Sequence, residues 1–436
     1  MYPNVADNIL SIEEKYPLLY TYEYNGVPIW ELIRYPLFIK LNKCRATSYT
    51  DRRVKLVQLF LKKFKDYIYS FITANPLFWI SKKRVLLFRC SRKSFFNDKF
   101  LDIYTAHIEE LYSKEEIGIY ETHRDYTSGS AHVPNISFFT LISGNVSSLM
   151  MRLFRKPTQS VSAVKGIIAQ EGLSINFEEL FWRQYIIFKV ESFFYSTLFS
   201  IRCPEHIYIV NYINKQAMIA EAKKRGIEIH ELQHGFTSPK LLLYHYPFAK
   251  KESLNFFPSV FHYINKDYMC GCDIPLKQEH VVQNISGYLQ NNECLKQSIQ
   301  KQPSTILFVS QHLIHNQFYS WVKDFCYYVK EQNLDYTILY KPHPLEYGMF
   351  NKNELDELVD RYNLKLLPKD SHILKSMSMS GNVVGVYSTA LLEARAMGCK
   401  ILLLNVPGVE NFEYIAKQYE IPTVNNPEEL VNILVN

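Results

Sequence analysis

The run "HIYIVNYINKQAMIAEAKKRGIEIHELQHG", residues 206–235, decides how the chain is read. "HIYIVNY" is an apolar strand. "NKQAMIAEAKKRG" is a helix that Gly226 closes. "IEIHELQ" alternates apolar and polar residues, as a second strand does. Strand, helix and strand within about 30 residues make a βαβ unit, whose strands are parallel. The second strand stops at Gln233-His234-Gly235. Open parallel sheets bind ligands beyond the carboxyl ends of their strands. The stop is therefore either a turn that needs a glycine or the rim of a functional site.

The same alternation extends in both directions. Upstream, "RVLLFRC" (84–90) and "EIGIYET" (116–122) read as strands, with "FLDIYTAHIEELY" opening a loop or helix between them. Residues 125–160, rich in Ser, Thr, Asn and Gly, read partly as loop. "FEELFWRQYIIFKVESFFYSTLFSI" (177–201) is a long helix, apolar most of the way round and so expected to be largely buried. Downstream, "VFHYINK" and "VVQNISG" suggest two short strands, and the polar stretch 289–304 a linker. Strand and helix then alternate again through "TILFVSQ", "YTILYKPHP", "LKLLP", "NVVGVY" and "KILLLN". The expected fold class is α/β: two Rossmann-like domains, 81–290 and 300–436, facing across a cleft. A helical, aromatic and basic segment, 1–80, precedes them.

With 436 residues the chain is too long for one ordinary core. At 47% hydrophobic and 21% charged residues it is not disordered. The net charge of +6 gathers in "DRRVKLVQLFLKKFK" (51–65), which holds six basic residues against one acidic. A basic and aromatic segment suits an anionic membrane surface or a polyanion. No nucleic-acid motif accompanies it, so nucleic acid is not an expected partner. Cys270 and Cys272 form C-x-C without a second pair at zinc-site spacing, and the eight cysteines read as reduced. No run of about 18 apolar residues and no secretory leader pattern is present. The expected location is cytoplasmic, at the inner face of the membrane where the basic segment would dock.

Three strand ends carry chemistry. In "VYSTALLEARAMG", Ser388 and Thr389 stand where a helix begins, a place that binds phosphate through unpaired N–H groups and the positive dipole end. N-capping alone would account for one of the two hydroxyls. Glu393 follows one turn later, where a carboxylate can accept from ribose hydroxyls. In "YKPHP", two prolines hold Lys341 and His343 rigidly, a cation and a donor for phosphate. Gln311 ends "TILFVSQ" and is counted on the same side. In "HELQHG", Glu231 shares a strand face with Gln233 and could polarise His234 or act as a base itself. His230 falls on the opposite face, as a core histidine. Gly235 and Gly287 would let backbone approach the cleft closely.

Together, Q-H-G, K-P-H-P and Y-S-T-A-L-L-E-A resemble bacterial surface-polysaccharide glycosyltransferases of the GT-B architecture. These include capsule and O-antigen enzymes of the Kdo- and sialic-acid-transferring types, with a more distant likeness to CDP-glycerol transferases of teichoic acid. The resemblance spans roughly residues 200–420. It implies a nucleotide-sugar donor, CMP-linked by preference, with its phosphate on His343, Ser388 and Thr389, Lys341 nearby and Glu393 on the ribose. It implies no metal and no cofactor, and the sequence shows no D-x-D motif in a plausible loop and no His/Cys metal cluster. The acceptor-side base stays open among Glu231, His234, Asp102 and Asp125. A lipid-linked glycan acceptor would give residues 52–79, with Phe60, Phe64, Tyr67 and Trp79, a peripheral membrane role. The alternatives are a nucleotide-sugar epimerase or glycerophosphotransferase on the same fold, and a non-catalytic polysaccharide-binding or export protein.

Overall fold

A computed structural model describes residues 5–45, 68, 71, 72, 74–90, 93–96, 99–122, 133–151, 158–284, 301–369, 371 and 373–435. Asp125, Gly287 and the basic stretch 51–65 lie outside the described residues.

The first sheet is built from β1 (Val85–Arg89), β2 (Ile117–Glu121), β3 (His206–Val210), β4 (Glu228–Leu232), β5 (Val260–Tyr263) and β6 (Val281–Gln283). All are parallel, in the spatial order 2-1-3-4-5-6. Val85 to Phe88 are fully buried, because both faces of a parallel sheet are covered. Leu86, Phe88, Ile207, Ile209 and Ile229 pack on a layer of helices that includes Val5–Lys15, Ile29–Arg45 and Phe177–Arg202. Within the stretch 125–160, read partly as loop, Ser137–Met150 is a helix. Its Phe139 ring stacks on Phe194 at 4.7 Å, and tertiary packing of this kind overrides weak local propensity.

A buried ion pair fastens the N-terminal helices to this domain. The Arg34 guanidinium donates to Glu13 through Nε (2.5 Å) and Nη2 (3.1 Å). It also donates to the carbonyls of Leu242 (2.9 Å) and His245 (2.7 Å). The Trp30 indole N–H completes the Glu13 carboxylate at 2.8 Å. Both charges are buried and hydrogen-bonded, so neither is left uncompensated.

The second sheet holds β7 (Gln302–Val309), β8 (Thr337–Lys341), β9 (Leu364–Leu366), β10 (Ser380–Gly385), β11 (Lys400–Leu404) and β12 (Thr423–Val424). It is parallel throughout, in the order 3-2-1-4-5-6 counted within the domain. β7 starts at Gln302, inside the stretch expected as linker, because Gln302 pairs with Ser380. Between β1 and β2, where only a loop or helix was expected, Lys93–Phe96 and Lys99–Asp102 form an antiparallel pair before the short helix Ala106–Glu109. The chain is thus two Rossmann-like domains in the GT-B arrangement.

The domains meet at strand carboxyl ends. The Phe236 N–H donates to Thr389 Oγ1 at 3.3 Å, and the Phe236 ring meets Phe412 edge-on at 5.1 Å. Asp267 accepts from the Arg395 guanidinium at 3.3 Å and from the Tyr419 hydroxyl, while Arg395 lies over the Tyr419 ring. Buried apolar side chains run without a break from Leu232, Phe236 and Tyr268 to Ala390, Leu391 and Phe412.

Replacing Arg34 by Met would strand the Glu13 charge. We expect a loss of about 3–5 kcal/mol in urea unfolding monitored by Trp fluorescence, whereas the double replacement of Glu13 and Arg34 by apolar residues loses much less.

Candidate active site

In each sheet the strand order reverses at one point, and there the crevice for a ligand opens. In the second domain that point lies between β7 and β10. Gln311 follows β7 and Tyr387 follows β10, and the Tyr387 N–H donates to Gln311 Oε1 at 3.3 Å across the gap. Ser388 caps the helix Thr389–Ala396, its Oγ accepting from the Ala390 N–H at 3.3 Å. The Leu391 N–H bonds the Ser388 carbonyl at 3.0 Å. The N–H groups of Ser388 and Thr389 have no hydrogen-bond partner among the described residues. Donors of this kind at the positive end of a helix dipole, beside the switch point, are able to bind an anion.

The His343 loop follows β8, the strand that pairs with β7. One buried carboxylate that the sequence reading passed over, Glu346, shapes this loop. Glu346 accepts from Ser310 Oγ (2.8 Å), from His315 Nδ1 (2.9 Å) and from the His343 backbone N–H. It ties the end of β7, the following helix and the Pro-His-Pro turn into one unit. Its only signal in the sequence is an acid three residues after His343. The His343 ring itself is exposed. Its Nδ1 accepts from the Leu345 N–H at 3.3 Å, which puts the proton of a neutral ring on Nε2.

Lys341 corrects the expectation attached to it. Its ammonium is buried and donates to the carbonyls of Pro368 (2.6 Å), Lys369 (3.2 Å) and Ser371 (3.1 Å) and to Ser371 Oγ (3.0 Å). It holds the loop after β9 and is not aimed at a donor phosphate. Glu393 is also buried, one helical turn below Thr389.

From the first domain, Gln233-His234-Gly235 abuts this helix end. A Cβ on Gly235 would stand 2.9 Å from Thr389 Oγ1, so glycine is what lets the two backbones approach. Gln233 uses both ends of its amide: Nε2 donates to the Tyr268 carbonyl at 2.8 Å, and Oε1 accepts from the Ile264 N–H at 2.9 Å. The His234 carbonyl accepts from the Tyr104 hydroxyl at 2.7 Å. His234 is half-buried at the junction.

Neither a family model nor a curated protein matches this chain. Solved structures with a similar fold include the following three. One is the UDP-GlcNAc 2-epimerase of Methanocaldococcus jannaschii in complex with UDP-GlcNAc and UDP: 12% identity, TM-score 0.45, covering 81% of this chain and 92% of that one. Another is the wall teichoic acid polymerase TagF with CDPG: 10% identity, TM-score 0.42, covering 91% and 88%. A third is MurG of Acinetobacter baumannii: 11% identity, TM-score 0.44, covering 81% and 91%. At this level of similarity the strand-end residues, and not these relatives, carry the functional reading.

The candidate bases separate. Glu231 is fully buried on the face turned to the N-terminal helices, and its Oε1 accepts from the Tyr244 hydroxyl. Burial pushes its pKa up; Tyr244, the buried Lys215 ammonium and the Tyr212 and Asn211 amides oppose that shift. Glu231 belongs to the core beneath the strand end. Asp102 is buried too. Its Oδ1 accepts from the N–H groups of Tyr104 (3.1 Å) and Thr105 (3.2 Å), and its Oδ2 has no hydrogen-bond partner among the described residues. Burial raises its pKa to about 6, against the Tyr104 amide and the Arg89 guanidinium. Two residues on, Tyr104 touches the His234 carbonyl, so Asp102 supports the loop on which His234 rests.

His230 is a buried, hydrogen-bonded core histidine, as its strand face implies. His206, His230 and His262 line up across β3, β4 and β5, joined at 3.3 and 3.1 Å. Burial lowers the pKa of His230 and of His262 to about 4, helped by the neighbouring rings.

The raised Asp102 pKa fixes a pH dependence. A carboxyl whose folded pKa exceeds its unfolded value stabilises the fold fully below the unfolded pKa, near 3.9. That contribution is lost as pH rises through about 6. Asp102→Asn keeps the acceptor and removes the buried charge. Its stability relative to wild type should therefore improve by up to about 3 kcal/mol between about pH 4 and about pH 7, measured by urea unfolding at each pH.

Proposed function

We propose that the protein is a glycosyltransferase that moves a sugar from a nucleotide-activated donor to a glycan acceptor. The observation that carries this reading is the pair of amides at Ser388 and Thr389, without a hydrogen-bond partner among the described residues, at the switch point of the second sheet, with Gly235 and Phe236, next to His234, against the same helix end. A donor phosphate would lie on these amides, with Gln311 framing the crevice and His343 Nε2–H as a further donor. His234 is the acceptor-side residue at this junction, and we assign it as the base. A ring nitrogen takes the proton of the acceptor hydroxyl as its oxygen bonds to the anomeric carbon. The bond from that carbon to the phosphate oxygen breaks, and the helix end meets the charge that develops on the nucleotide. We keep a CMP-linked donor as the preferred class.

A transferase at a membrane surface is favoured over a soluble epimerase by an exposed apolar stretch just before the first domain. Ile68, Phe71, Ile72, Phe78, Trp79 and Ile80 are all exposed large apolar side chains close in sequence. Such a concentration is unusual for a surface in water and suits the headgroup boundary above a lipid-linked acceptor. No helix among the described residues is long and apolar enough to cross a membrane.

Thermal melting against CMP, CDP, UDP, GDP and dTDP nucleotides tests the donor site. One of them should raise the midpoint of the wild type by mass action and fail to do so in His343→Ala. A well-folded protein that responds to none would overturn the phosphate-site reading. His234→Ala should keep the nucleotide response and lose roughly 10²–10⁴-fold in transfer rate, as removal of a general base does. For the membrane contact, Trp79→Ser with Ile80→Ser should reduce sedimentation with anionic lipid vesicles, and unchanged sedimentation would exclude this patch as the anchor.

A further inference from the structure

β3 and β4 begin side by side at the end of the first sheet away from the cleft. His206 opens β3, Glu228 opens β4, and the two are register partners. Period-2 alternation puts His230 on the same face as Glu228. The result is a compact set of three donor atoms. His206 Nδ1 lies 3.3 Å from His230 Nε2, and Glu228 Oε2 lies 3.1 Å from each of them. Tetrahedral zinc with bonds of about 2.0–2.1 Å needs neighbouring ligand atoms about 3.3–3.4 Å apart. The three side chains already form one face of that tetrahedron to within a few tenths of an ångström.

The surroundings fit as well. His230 presents Nδ1 to His262 Nε2 at 3.1 Å, the kind of outer contact that fixes a ligating ring's tautomer and orientation. The Tyr208 ring stacks on His230 at 4.4 Å and holds its plane. Access comes from solvent: the Glu228 side chain is 45% exposed and that of His206 30%.

We propose that His206, Glu228 and His230 bind a divalent transition metal of the zinc class, with the fourth position open to solvent and His262 orienting His230. Two imidazoles and a carboxylate suit zinc, whereas calcium and magnesium take oxygen ligands. The ion clips the start of β3 to the start of β4. It stands at the amino ends of the strands, whereas His234 stands beyond their carboxyl ends, so the site is separate from the sugar-transfer cleft.

The test uses the full chain, stripped with a chelator and titrated with Co²⁺ and then Zn²⁺. One Co²⁺ should bind per chain, with the visible spectrum of low-coordinate cobalt and no sulfur charge-transfer band, and Zn²⁺ should displace it. Zn²⁺ should also raise the thermal midpoint of the wild type. His206→Ala and Glu228→Gln should each weaken the metal at least about ten-fold and abolish that rise, while melting like wild type without metal; His262→Ala should weaken it less. Binding that is unchanged in both ligand variants overturns the proposal. So does a thiolate band, which would assign the ion to cysteines, and so does the absence of binding at micromolar metal.

Discussion

The contact between the Phe236 N–H and Thr389 Oγ1 is the constraint on which the rest of the site depends. It brings the carboxyl end of one parallel sheet against a helix N-terminus of the other. The approach is possible because Gly235 carries no side chain where a Cβ would meet Thr389. The Phe236–Phe412 ring pair and the Asp267 contacts with Arg395 and Tyr419 then fix the angle between the domains. Crevices that two separate sheets would offer singly become one junction, with His234 on one side and the start of the helix Thr389–Ala396 on the other.

Buried polar groups shape the loops around that junction, and most are fully engaged. Gln233 satisfies its amide at both ends, Glu346 gathers three donors, and the Lys341 ammonium is divided among the loop 368–371. A buried polar group without partners is costly, so such residues lock one loop conformation. The N–H groups of Ser388 and Thr389, by contrast, have no hydrogen-bond partner among the described residues. Lys341 and Glu346 build the turn, and His343 is the side chain the turn presents.

Strand β4 shows how one short segment serves two faces. Glu231 points into the N-terminal helical layer and meets Tyr244. His230 points the other way and joins the histidine row. The alternation of side chains across a strand turns adjacent residues into parts of unrelated structures, one a buried acid in the core and the other a member of a metal-competent cluster.

The sequence by itself determined the alternating α/β pattern, the parallel strands and the three strand ends, because each rests on local periodicity and on turn residues such as Gly226 and the prolines around His343. It also marked His234, Ser388 and Thr389 as residues at strand ends, since strand termini are visible in the chain. Only the tertiary structure decided what those residues face. The helix at 137–150 exists because Phe139 finds Phe194, far away in sequence. Lys341 turns into a loop nearly 30 residues downstream. The histidine cluster assembles from His206, Glu228, His230 and His262 through the registers of three neighbouring strands. The physical reason is common to all three: local periodicity says which residues share a face, but packing between distant segments decides what that face meets.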